Sequence, residues 1–232
     1  METIAKKSNR LILLSGIILT MVILFSISFV GSKPVLQLFS LTKVNGSLFF
    51  VSRLCYWIVL LLIFVYSIKI EKQKLLIWTE KKYTFFRYFL SVIGVLAAFF
   101  VSMLIGQLLL SIFVPKEKTV SMLELVNLFR DNKFLLVFTC LTAGVCEELI
   151  FRGYLLPRLQ LLFKNAAVAI FVSSLLFGLM HFRYGTFVNM VGPFFIGLVA
   201  AIYYWKFRNI KVLILCHFLW DLAALLILLK QK

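Results

Sequence analysis

Residues 134–152 read FLLVFTCLTAGVCEELIFR, and the fold turns on how Glu147, Glu148 and Arg152 can sit inside that apolar run. A single charge at the centre of a membrane-spanning helix costs roughly 2.5–3.5 kcal/mol, so intramembrane charges pair with one another or face a water-filled cavity. An α-helix turns about 100° per residue, which sets Glu148 and Arg152, four apart, within ~40° of each other on one face. Glu147 then points ~100° away from Glu148. On this spacing Arg152 neutralises and orients Glu148, and Glu147 is left to act.

The surrounding chain supports a membrane reading. Its 232 residues are 62% hydrophobic, well above the roughly 45–50% of soluble domains, with a mean hydropathy of +1.03. The fold class expected is all-α, a polytopic helical membrane protein, with no polar stretch long enough for a soluble second domain. The net charge of +16, from 25 Lys/Arg against 9 Asp/Glu, would suggest nucleic acid in a soluble protein. Here the bases cluster at the ends of apolar runs, where they act as topology signals and contact anionic headgroups. No nucleic-acid partner is expected. Cys55, Cys140, Cys146 and Cys216 lie within apolar runs without a CxxC pair, and read as reduced core residues.

About seven spanning helices are expected, over 11–30, 48–68, 88–114, from 134 through the Glu pair, 165–182, 186–205 and 212–229. Each comes near the ~20 residues needed to cross the hydrocarbon core. The first follows Lys6, Lys7 and Arg10 and exceeds the ~7–15-residue core of a signal peptide, so it reads as a retained helix. Gly31-Ser32-Lys33-Pro34 ends it, 69–87 is a polar connection, and 116–133 suggests a short surface helix. Residues 153–160 read as an amphipathic tail near the interface, with Pro157 ending or kinking the fourth helix. Arg183-Tyr184-Gly185 reads as a tight turn. Counting Lys and Arg places the N-terminus and the loops 69–87, 152–164 and 206–211 in the cytoplasm. The chain divides into helices 1–3 with their loops (1–133) and a chemistry-bearing part, helices 4–7 (134–232).

Two further polar intrusions lie in that second part. Phe177-Gly178-Leu179-Met180-His181 sets one of the chain's two histidines late in the fifth helix. His217-Phe218-Leu219-Trp220-Asp221 sets the other in the seventh, with an acid one turn on. A carboxylate and an imidazole can deprotonate a water and present it to a carbonyl. A second imidazole with a polar neighbour can steady the oxyanion. Glu147, His181 and His217, with Asp221 as a further donor, could instead hold Zn²⁺. Either route is amide hydrolysis, on a peptide or membrane-protein substrate. Two other functions fit the same parts. A proton- or cation-coupled transporter would need a path open to both sides, and a non-catalytic immunity or scaffold protein for a bacteriocin-like peptide would need no reaction at all.

EExxxR, then FxxxH, then HxxxD on successive hydrophobic helices resembles the CPBP family, which contains the CAAX prenyl proteases and the bacteriocin-processing Abi intramembrane proteases. The resemblance covers 134–229 and leaves the first three helices without any part of the signature. It implies that Glu147 and His181 activate the water and that His217 with Asp221 completes an oxyanion or metal site. Glu148 and Arg152 would support them. The family is commonly labelled metalloprotease, and a metal-free glutamate mechanism has also been argued for it. Its third motif often has Asn where this chain has Asp221; an ionised Asp accepts hydrogen bonds and cannot donate one. One conflict follows from these boundaries. With the fourth helix ending near Arg152, His181 falls at the far end of the fifth. The motifs meet only if the fourth helix runs on past Arg152, or the fifth is displaced or tilted.

Overall fold

In hydrocarbon every backbone N–H and C=O must be satisfied inside its own segment or by a closed barrel, and this chain does so with helices. The computed structural model describes residues 10–28, 45–113, 127–181 and 188–230, and no strand occurs among them. The expected turns at 31–34 and 183–185, and most of the segment 116–133, lie outside the described residues. Residues 127–131 of that segment are helical, with Phe129 buried edge-on against Phe49.

Seven long helices are described: α1 (Arg10–Ser28), α2 (Gly46–Lys69), α3 (Phe85–Phe113), α4 (Lys133–Phe163), α5 (Ala166–Met180), α6 (Val188–Phe207) and α7 (Ile210–Lys230). Asparagine opens four of them. Asn45, Asn132, Asn165 and Asn209 accept from the backbone N–H three residues on, at 2.8, 2.9, 3.2 and 3.2 Å. Each bond satisfies one donor that the first turn cannot pair internally. Among the described residues six helices are long and apolar enough to cross a membrane. The exception is α5, whose 15 residues span only about 22 Å. The expected seven therefore resolve into six full spans and one short apolar helix.

The fourth helix differs most from expectation. It runs unbroken for 31 residues from Lys133 to Phe163, and residues 152–159 are buried instead of forming an interfacial tail. What buries them is a partner distant in sequence. Arg158 donates from Nε and Nη2 to Glu71 Oε2 at 2.8 and 2.6 Å, and Tyr154 donates to Glu71 Oε1 at 2.8 Å. The remaining guanidinium N–H groups reach the carbonyls of Leu75, Lys74 and Tyr154, at 3.0, 3.2 and 3.2 Å. Arg158 and Glu71 side chains are fully buried.

The connection 69–87, expected as a polar loop, is ordered across one end of the bundle. Lys72 adopts φ 56°, turning the chain sharply after α2. Glu80 then accepts from Tyr204 Oη and from the backbone N–H of Ile210, both at 2.7 Å. Lys81 N–H reaches Arg208 O at 2.7 Å, and the Arg208 guanidinium stacks over Trp78 at 3.7 Å. The ends of α2, α4 and α6 and the start of α7 therefore share one end of the molecule. The outer faces carry exposed large apolar side chains, among them Phe86, Phe100, Leu108, Phe171 and Ile227, as lipid contact requires.

Candidate active site

The geometry of α4 changes where its charges begin. After an α-helical stretch Lys133–Thr142, the backbone is π-wound over Ala143–Glu147 and Leu149–Leu155, then α-helical again from Leu156. A π turn closes one residue later than an α turn, so neighbouring side chains fan out by less than 100°. It also gives room to Pro157, whose ring would otherwise press on the carbonyl four residues back. At Gly144 the backbone of α4 nearly touches α7: a Cβ there would lie 2.9 Å from Ile214 O and 3.1 Å from Phe218 N. Only glycine permits that approach, and it brings His217 onto the Glu pair.

His217 Nδ1 lies 2.7 Å from Glu148 Oε1, and Arg152 Nη1 donates to the same oxygen at 2.9 Å. Arg152 Nη2 also donates to the carbonyl of Gly197 on α6 at 3.3 Å. The other imidazole nitrogen, His217 Nε2, lies 3.6 Å from Asp221 Oδ2 and 4.0 Å from Glu147 Oε2. Both glutamates therefore flank one imidazole. Glu147 and Glu148 approach it from different sides, Glu148 at Nδ1 and Glu147 at Nε2. Side-chain exposure rises in steps across the cluster, from 1% at Glu148 to 6% at His217, 13% at Glu147 and 32% at Asp221. The site is closed behind Glu148 and opens on the Asp221 side.

His181 is reached from α5. Glu147 lies sixteen residues before Phe163 and His181 sixteen after Asn165, so across the tight α4–α5 turn the two stand at one level. The length of α4 thus removes the conflict raised by ending it at Arg152. His181 Nδ1 is 2.9 Å from Phe177 O, and since a carbonyl only accepts, that nitrogen carries the proton. Phe177 is the hub that sequence reasoning left without a role. Its ring centroid is 5.0 Å from His181, 6.0 Å from His217 and 5.1 Å from Phe151, with the Arg152 guanidinium 4.3 Å above it. Its place four residues before His181 was the available signal. Gly144 and Gly197, equally unforeseen, gave none.

Among the described residues no three His, Cys, Asp or Glu side chains are gathered as a ligand set for one metal ion. Glu147, His181 and His217 are neighbours without forming such a set, and Glu148 already engages Nδ1 of His217. All four cysteines are free, three of them fully buried.

Residues 130–223, which include every residue of this cluster, match the family model described as Type II CAAX prenyl endopeptidase Rce1-like. Over this segment the chain is similar to the CAAX protease family. No curated protein and no solved structure matches the chain. The match supports a peptide hydrolase of the CAAX type, carried by a multi-pass helical membrane domain. The match takes in α4, α5, α7 and the intervening α6, the four helices that contribute a side chain or a carbonyl to the cluster. In this CAAX-type core three carboxylates, Glu147, Glu148 and Asp221, face one guanidinium and two imidazoles. Even with His217 protonated, three carboxylates against one guanidinium and one imidazolium leave an excess of negative charge, an electrostatic environment suited to accepting and returning protons.

Proposed function

We infer that the chain hydrolyses a peptide bond of a peptide or membrane-anchored protein, using Glu147 as the base and His217 as the oxyanion donor. The observation that carries this reading is the imidazole of His217 held between carboxylates, Glu148 at Nδ1 and Glu147 with Asp221 at Nε2. Glu148, itself held by Arg152, fixes the ring with Nδ1–H toward α4 and turns Nε2 to the open side of the cluster. Such a carboxylate–imidazole pair sets ring orientation and stabilises the cationic form.

A water between Glu147 Oε2 and His217 Nε2 would give its proton to the carboxylate while its oxygen attacks the carbonyl carbon. Charge on the carbonyl oxygen then develops toward Nε2–H, the kind of preorganised donor that lowers such barriers most. Glu147 returns the proton to the leaving nitrogen as the C–N bond breaks. The products are a new carboxylate and a new amine. His181, level with Glu147 and fixed through Phe177, has its Nε2 as the nitrogen able to accept a proton, and it assists the same transfer.

The experiment uses the purified full chain in lipid vesicles with three peptides: one with an S-prenylated cysteine near its C-terminus, the same peptide unprenylated, and a leader-type peptide. Mass spectrometry of the products in ¹⁸O-water is expected to show cleavage at one internal bond, with one ¹⁸O in the new carboxylate. The preferred peptide names the substrate class. Intact peptides throughout would overturn the reading in favour of a scaffold or immunity role. Elemental analysis runs alongside. About one zinc per chain, with cleavage lost on chelation, would replace the side-chain mechanism with a metal-based one.

A further inference from the structure

Between α1 and α2, against α4, lies a cavity of about 230 Å³ that the proposed reaction does not use. It follows α2 from Lys69 back to Leu62, about 10 Å along the axis. Leu19 and Ile23 of α1 and Leu62 and Val65 of α2 line it, and Tyr154 of α4 backs it. Leu19, Leu62 and Val65 are each about half exposed, so the cavity is a slot open to the surrounding lipid. Its hydroxyl groups are all paired within the protein. Thr20 Oγ1 donates to Gly16 O at 2.7 Å, Tyr66 Oη to Ile12 O at 2.8 Å and Tyr154 Oη to Glu71 Oε1 at 2.8 Å. An apolar cavity with no polar group to satisfy excludes water and takes an apolar occupant.

Lys69 is the exception in the lining. It closes the last turn of α2, at the end of the molecule that the 70–84 segment crosses. Its side chain is exposed, and among the described residues its ammonium makes no ion pair or hydrogen bond. The nearest acid in sequence, Glu71, is fully buried and already takes two bonds from Arg158 and one from Tyr154. Glu80, the other acid of this connection, accepts from Tyr204 and Ile210. Arg10 stands at the same level on α1, because Tyr66 bonds the carbonyl of Ile12, and it too is exposed. A lysine at a helix end lays its stem along apolar surface and carries its charge to the headgroups. The slot therefore combines dry walls with uncompensated positive charge at its rim.

We propose that this slot binds one anionic phospholipid of the surrounding bilayer, with an acyl chain between α1 and α2 and the phosphate at Lys69. A helix, about 10–12 Å across with its side chains, does not fit a slot of this volume, whereas a single hydrocarbon chain does. Bound there, the lipid packs on Tyr154, two residues beyond Arg152 on the helix that carries Glu147 and Glu148. A ligand that binds only the folded chain stabilises it by mass action. The assignment stands whether or not the chain cleaves peptides.

The test is native mass spectrometry of the full chain released from micelles, titrated with phosphatidylglycerol and with phosphatidylcholine of the same acyl chains. Wild type is expected to hold one phosphatidylglycerol about five- to tenfold more tightly than phosphatidylcholine, and to unfold later in its presence. Lys69→Gln should bind the two lipids alike, at the phosphatidylcholine level. Leu19→Phe combined with Leu62→Phe fills the slot and should lose both lipids. Lys211→Gln removes an exposed cation at the same end but outside the slot, and should match wild type. Equal binding of both lipids by wild type overturns the proposal, as does a phosphatidylglycerol preference that survives in Lys69→Gln. An equal loss in Lys69→Gln and Lys211→Gln overturns it too, since that is the pattern of a diffuse surface potential. Lipid retained by the filled variant, with its unfolding midpoint near wild type, rules out the slot. Lys69→Gln, at an exposed position, keeps the test decisive if the filled variant does not fold.

Discussion

Arg158→Ala is expected to cost the detergent-solubilised protein about 3–5 kcal/mol of stability, the cost of leaving one partner of a buried ion pair uncompensated. Few single substitutions reach that size. The reason lies in the number of groups stranded together. Glu71 would lose two charge-assisted bonds, at 2.8 and 2.6 Å, and the carbonyls of Leu75 and Lys74 would lose their guanidinium donors. Only Tyr154 Oη would remain to the carboxylate. Because Glu71 lies just beyond α2 and Arg158 near the end of α4, the same loss loosens the 70–84 segment from the bundle. Chemical unfolding in micelles reads the effect. A loss below about 1 kcal/mol, the range of exposed pairs, would show that this network is solvated in the working protein.

The second large effect belongs to Glu148. Glu148→Ala removes the oxygen on which His217 and Arg152 converge, and is expected to lower cleavage by at least about a hundredfold, the upper range for groups that orient a reacting residue. It should also lower stability, since the Arg152 guanidinium would be left buried with only Gly197 O as acceptor. Glu148→Gln keeps an acceptor for both donors and separates the two effects. Its unfolding midpoint should lie near wild type while the rate stays depressed, because a neutral amide cannot stabilise an imidazolium. Equal rates for Glu148→Gln and wild type would mean that the carboxylate charge plays no part in the reaction.

Much of this architecture was legible because hydrocarbon penalises polarity so strongly. Apolar runs near twenty residues long could only be helices, and Glu147, Glu148, Arg152, His181, His217 and Asp221 stood out as residues needing partners within the membrane. What stayed hidden depends on pairs far apart in the chain. Arg158 has the look of an interfacial residue until Glu71, 87 positions earlier, is found beside it. That misreading shortened α4, and the shortened helix in turn set His181 at the wrong level. The π winding of the backbone at Ala143–Glu147 and Leu149–Leu155 is encoded by no hydrophobic periodicity. The contact of His217 with Glu148 depends on Gly144, where the signal is the absence of a side chain.

The most direct measurement is single-turnover cleavage of a peptide substrate in vesicles by wild type and Glu147→Gln, with unfolding midpoints taken on the same preparations. A base that accepts the proton of water contributes about 10²–10⁴-fold. Glu147→Gln should therefore lose at least about a hundredfold in rate with its midpoint near wild type, since among the described residues Glu147 has no hydrogen bond or ion pair closer than the 4.0 Å to His217. A rate within about twofold of wild type, far short of what a general base supplies, would contradict the account.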